Sequence, residues 1–131
     1  MDNKLKIWLN NPSGNIHVMD MPEEIAKAIG AKNNHVVFSA DSAIKNKNHH
    51  QDLSEKDYSF LPKIGENPTI AIKDGTRTVV LVKQGESIYW AALKTTKTGA
   101  ATFLTSFRKS NDSDVNRLLK KGDVIYGEWK K

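Results

Sequence analysis

The sequence predicts an α+β fold, with N-terminal helices packed on one face of a four-stranded antiparallel meander and a short C-terminal helix after it. Three observations predict it. Up to residue 66 the chain is punctuated by helix-capping signals. After Pro68 it turns into strand-like runs joined by short turns. Its 131 residues, 38% hydrophobic, suffice for one core and are too few for two, so residues 1–131 are expected to form a single domain.

The elements follow in order. Lys4 to Leu9 alternates polar and apolar residues, which suits a half-buried strand. Asn10-Asn11-Pro12-Ser13-Gly14 is a turn, and Ile16 to Met19 is the returning strand. Pro22-Glu23-Glu24 opens a short helix, with proline in the first turn and acids at the positive end of the dipole, and Gly30 ends it. His35 to Phe38 is a short β-branched run. Ser39 is placed as an N-cap, with Asp41 in the first turn of a helix to about Asn48. Ser54 and Asp57 form a capping-box pattern flanked by Leu53 and Tyr58, and Leu61-Pro62 is expected to stop that helix.

Beyond Pro68, Thr69 to Lys73, Thr76 to Lys83, Ser87 to Lys94 and Ala101 to Phe107 read as four strands. Asp74-Gly75 is a hairpin signal, Gln84-Gly85-Glu86 a weaker one, and Thr98-Gly99 separates the last pair. Connections this short force antiparallel neighbours. Asp112 is expected to cap a basic helix with Val115, Leu118 and Leu119 inside, ended by Gly122, and Val124 to Tyr126 is a candidate for one more strand.

Composition bounds the function. Without cysteine there is no disulfide, thiolate metal site or cysteine nucleophile. The four histidines, His17, His35, His49 and His50, are too scattered in sequence to predict a metal site, and no cofactor is expected. No apolar run reaches membrane-spanning length, and Met1 to Asn10 lacks a signal-peptide core, so a cytoplasmic protein is expected. The net charge of +5 is uneven. Residues 1–66 carry 8 basic and 9 acidic side chains, whereas residues 67–131 carry 12 and 6. A basic half fits a polyanionic partner such as nucleic acid.

Candidate functional residues lie in both halves. Lys45 and His49, four apart, share a helical face, with Ser42 a turn earlier. A cation beside an imidazole suits phosphate chemistry: one holds the anion and the other exchanges a proton. The same spacing from Asp41 to Lys45 also fits a plain surface ion pair. Two-residue alternation groups Phe103, Thr105 and Phe107 on one sheet face, and Thr102, Leu104, Ser106 and Arg108 on the other. Arg77 and Lys94 are further cations. Tyr58, Tyr89 and Trp90 offer rings that could stack on bases or fill the core.

Read together, these residues form an ordered set. Ser39-Ala40-Asp41-Ser42-Ala43-Ile44-Lys45, His49, Leu53 to Tyr58, Leu61-Pro62 and Asn67-Pro68 come first. Asp74-Gly75-Thr76-Arg77, a tyrosine-containing aromatic strand and Leu104-Thr105-Ser106-Phe107-Arg108 follow. The set resembles the phage-type nuclease domains of the barnase–EndoU–colicin–RelE superfamily, found at the C-terminal end of head-morphogenesis proteins of Mu-like phages. It spans residues 36–127, leaving residues 1–35 as an N-terminal extension of strands and a short helix. The resemblance implies metal-independent RNA cleavage in which the ribose 2′-hydroxyl attacks the adjacent phosphorus. By position it assigns His49 to proton transfer, Lys45 and Arg77 to charge stabilisation, and Thr105, Ser106 and Arg108 to phosphate oxygens. Lys94 and Tyr58 are assigned to substrate contact. Lys45 is followed by Asn46 where the family often has histidine, and His49 by His50 where it often has proline, so the choice between His49 and His50 stays open. RNA is the expected partner, with an immunity protein, antitoxin or phage structural protein as a second. A non-catalytic phage-derived module that binds nucleic acid or a protein is the alternative.

Overall fold

The computed structural model describes residues 3–130. The order is α1 (Asn3–Asn10), β1 (Asn15–Asp20), α2 (Glu23–Ala28), β2 (His35–Ser39), α3 (Ala40–His49), α4 (Glu55–Tyr58), α5 (Leu61–Glu66), β3 (Ile70–Lys73), β4 (Thr78–Gln84), β5 (Ile88–Thr95), β6 (Thr102–Ser110), α6 (Asp112–Lys121) and β7 (Asp123–Gly127). The α+β class holds. Among the described residues the strands form one seven-stranded sheet, ordered β1-β2-β6-β5-β4-β3-β7. The expected meander β3 to β6 is its middle. It is extended on one side by the antiparallel pair β1–β2 and on the other by β7 against β3. The only parallel contact in that order is β2 on β6, and it is brief: Val36 opposite Thr102 and Val37 opposite Phe103.

The N-terminal segment Lys4 to Leu9 is a helix, not the expected strand. Its apolar residues satisfy both periods. The helical one wins because Leu5 and Leu9, four apart, are buried while Ile7 is 70% exposed. The Trp8 indole N–H donates to the Ser13 carbonyl at 2.8 Å, and its ring packs 5.9 Å from that of Phe38. The Lys47 ammonium donates to the Leu9 carbonyl at 2.8 Å, capping an end that has no basic residue of its own. A second correction concerns Leu61-Pro62, which begins α5 instead of ending α4, because a proline in the first turn costs no helical hydrogen bond. A third concerns α6: its N-cap is Asn111, whose side-chain oxygen accepts from the Asp114 N–H at 2.8 Å. The β3–β4 connection is also longer than a two-residue hairpin, running from Asp74 to Arg77.

Two cores result. One joins α1, α2, α3, α4 and α5 to one sheet face through Leu5, Ile25, Ala43, Tyr58, Ile64, Leu81, Ala91, Leu104 and Phe107 among others. The other packs Val115 and Leu118 of α6 on Ile70, Ile72, Val80 and Val82. Helices therefore cover both faces. The first is covered by the N-terminal helices, whereas α6 packs its apolar side on β3 and β4 of the second and reaches β6 through Asp114. Each fully buried leucine or isoleucine contributes about 1.5–3 kcal/mol.

Candidate functional site

The site begins with α3. Ser39 caps it, its side-chain oxygen accepting from the Ser42 N–H at 3.2 Å. The helix buries only Ala43 and Asn46. Because β2 pairs with β6 no further than Phe103, α3 runs beside the remainder of β6 and Asn46 fills the place of a strand. Its Oδ1 accepts from the Phe107 backbone N–H at 2.8 Å, and its Nδ2 donates to the Tyr58 hydroxyl at 3.0 Å.

That bond sets the positions of the predicted residues. Lys45 immediately precedes Asn46, and His49 follows it by one turn; both are exposed. At about 100° per residue, Lys45 and His49 lie on one flank of Asn46 and Lys47 on the other. Lys47 reaches α1, so the Lys45–His49 stripe is on the flank away from α1. His50, half-buried, lines a groove with Leu9, Lys47 and Tyr58 on the α1 side. Across the seam, Ser106 and Arg108 flank Phe107 and point to the opposite sheet face from its buried ring. The Asn46–Phe107 hydrogen bond thus joins the helix that carries Lys45 and His49 to the strand that carries Ser106 and Arg108.

Thr105 is where simple alternation fails. Ala92 pairs with Ser106 but Leu93 pairs with Leu104, so Thr105 is the extra residue of a bulge. Its hydroxyl donates to the Ala92 carbonyl at 3.0 Å. The bulge exchanges the expected faces: Leu104 joins Phe107 in the core, and half-buried Phe103 joins Ser106 and Arg108. Arg108 is itself held, its guanidinium 4.3 Å from the Trp90 ring centroid and 3.2 Å from Asp114 of α6.

Three assigned residues lie elsewhere. Lys94 is on the same face as Ser106, two residues along β5 from the position opposite it, or about 7 Å. Arg77 is at the β3–β4 connection, where its carbonyl accepts from the Thr95 N–H. That is two strands from β6 and three residues along, a backbone separation of about 14 Å from Ser106. Tyr58 is buried at 4% exposure, packed edge-on to Phe107, and no base can stack on it.

Behind the seam, polar groups brace the helices. Asp57 Oδ1 accepts from the Tyr89 hydroxyl at 2.5 Å, and Oδ2 accepts from the Ser54 N–H at 2.7 Å. Lys109 stands 3.6 Å away. Burial alone would raise the Asp57 pKa, but the bonds from Ser54 and Tyr89 and the Lys109 charge hold it below the ordinary aspartate value. Burial and the Asp57 carboxylate push the Tyr89 phenol well above its usual range. A cavity of about 590 Å³ opens beside this pair, lined by Phe60, Tyr89 and four lysines, Lys56, Lys63, Lys83 and Lys109. No sequence signal marks it, because those lysines come from three separate stretches of chain.

The histidines also correct an expectation. His17 and His35 are not scattered in space. Both meet Asp20 Oδ1, at 2.8 and 2.7 Å. Burial opposes ionisation of Asp20, yet the bonds from both imidazoles hold its pKa below the ordinary value.

Family models, curated proteins and solved structures were all compared with this chain, and none matches. No helix among the described residues is long and apolar enough to cross a membrane.

Proposed function

We propose that the chain is a metal-independent endoribonuclease of phage or toxin type, acting inside a bacterial cell at the seam between α3 and β6. The observation that carries the reading is the Asn46–Phe107 hydrogen bond, which fixes the helix bearing Lys45 and His49 to the strand bearing Ser106 and Arg108. Cleavage by 2′-hydroxyl attack needs a proton acceptor for that hydroxyl, a donor for the leaving oxygen, and positive charge at the crowded phosphate. His49 exchanges the proton. Lys45 neutralises the phosphate, the Ser106 hydroxyl bonds one of its oxygens, and Lys94 receives the next phosphate along the strand. Arg108, stacked and paired, orients the substrate from the α6 side. The resemblance of the Ser39–Arg108 motif order to phage-type nuclease domains supports the same roles.

The test is cleavage of total bacterial RNA in the presence of chelator. His49→Ala and Lys45→Ala should each slow cleavage by about 10²-fold or more without lowering the melting temperature. Intact RNA after incubation with wild-type protein and chelator sinks the reading. A second reading, a non-catalytic RNA-gripping module, is favoured by the open half of the sheet, where Trp90 with Arg108, Phe103 and Lys94 offer rings and charge together. It retains RNA affinity in His49→Ala and shows no new RNA ends.

A further inference from the structure

We propose that His17, Asp20 and His35 form a binding site for a divalent transition-metal ion of the zinc class. The argument starts with the backbone. In a regular strand, residues three apart point to opposite faces. In β1 the register shifts between His17 and Met19, so one extra residue is inserted where buried Val18 and Met19 lie. That insertion turns His17 and Asp20 to one side. Asp20 is directly opposite His35 on β2, and His17 is opposite Val37, two residues along. The three side chains therefore converge from two paired strands, which hold their spacing. The same bulge that buries both Val18 and Met19 leaves the three polar side chains together on the exposed side.

The donor set fits the ion. One ligand atom from each residue lies within 4.8 Å of the other two. A zinc-class ion about 2.0–2.1 Å from each donor requires donor separations of about 3.3–4.2 Å, so Asp20 Oδ1, now 2.8 and 2.7 Å from the two imidazole nitrogens, must draw back slightly to admit it. Asp20 Oδ1 now accepts from His17 Nε2 and His35 Nδ1. On binding, each imidazole presents a lone pair at that nitrogen and carries its proton on the other one, while the carboxylate rotates to admit the ion. Two imidazoles and one carboxylate favour zinc, nickel or copper over magnesium or calcium, which take oxygen ligands. The three ligands leave coordination positions for water. Beside them is a groove of about 490 Å³ lined by His17, Asp20, Pro62 and Glu66. The site is independent of the ribonuclease reading, which needs no metal and places its residues on α3, β5 and β6.

Chelator-treated protein is titrated with zinc chloride by calorimetry and by thermal melting. A single equivalent should bind, and the melting temperature should rise by several degrees, because the ion binds the paired strands and not the unfolded chain. His17→Ala and His35→Ala should each abolish the equivalent and the thermal shift while keeping the wild-type circular dichroism. His50→Ala should keep both, as should excess magnesium. No binding up to millimolar zinc overturns the proposal. So does binding that survives His35→Ala, or binding lost in His50→Ala, which assigns the ion to the His49-His50 pair. RNA cleavage in chelator reads the ribonuclease proposal separately and is unmoved by either result.

Discussion

At the scale of single residues, two buried polar side chains hold the site together. Asn46 satisfies the Phe107 N–H, a group that no strand reaches. Leaving a buried donor unpaired costs about 1–3 kcal/mol. Asn46→Leu should therefore lower stability by that amount and also slow RNA cleavage, because Lys45 and His49 lose their fixed relation to Ser106. Thermal melting and cleavage rate read the two effects; loss of stability with full activity would separate α3 from the chemistry. Asp57 ties Ser54 to Tyr89. Its pKa lies below the ordinary value of 3.8, so its contribution is complete above that value and is lost as pH falls through the lower, folded-state value. Asp57→Asn replaces one accepting oxygen with a donor that faces donors. It should destabilise the protein by about 1–3 kcal/mol near neutrality. The gap from wild type should narrow below pH 3.8. Denaturant unfolding at the two pH values checks it, and a gap that does not narrow removes Asp57 from the acid response.

At the scale of elements, legibility followed local chemistry. The caps at Ser39 and Ser54 were readable because a hydroxyl three residues ahead of an amide is a local signal. The meander was readable from its short turns. Two kinds of information were not. Lys4 to Leu9 fits both periods, and only the tertiary choice of burying Leu5 with Leu9 decides for a helix. The bulges at Thr105 and between His17 and Met19 shift side chains between faces with no residue type that announces them. They separate the expected sheet faces from the observed ones, and they hid the histidine cluster. Lys45 and His49 were legible as a helical pair, but their relation to Ser106 depends on how far β2 runs along β6. One close approach between elements is testable. A Cβ on Gly65 of α5 would lie 2.6 Å from Met19 Cβ and 2.7 Å from the Asp20 carbonyl oxygen. Gly65→Ala must push α5 from β1, at a cost of about 1–3 kcal/mol. Because that shift moves the backbone of Asp20, zinc affinity should fall with stability in this variant. Calorimetry on folded Gly65→Ala checks it, and unchanged affinity means that β1 does not yield.

At the scale of the whole molecule, the positive charge is concentrated in one half of the chain and shared between the two sheet faces. The surplus of positive charge falls in residues 67–131, which supply β3 to β7 and α6. The near-neutral first half supplies the helices that screen the other sheet face. On the proposed reading RNA lies on the partly covered face, where Lys94, Arg108, Arg117 and Lys121 stand, while Lys83 and Lys109 of the same half line the cavity on the helical side. Acids temper this field: Asp114 pairs with both Arg108 and Arg117, and Asp74 pairs with Lys121. Lys94 is exposed and has no such neighbour on its own strand, so it should count fully as a phosphate contact. Each phosphate contact on single-stranded RNA contributes a slope of about −0.7 to the logarithm of affinity against the logarithm of salt. Lys94→Ala should weaken binding to a non-cleavable RNA and flatten that slope by about one contact. Lys27→Ala should leave both unchanged, because that exposed lysine is on α2 and pairs with Glu23 at 3.4 Å. Fluorescence anisotropy over a salt series distinguishes them. Equal slopes for the two variants would mean that RNA is held by net charge alone, and that the open half of the sheet has no privileged part in holding it.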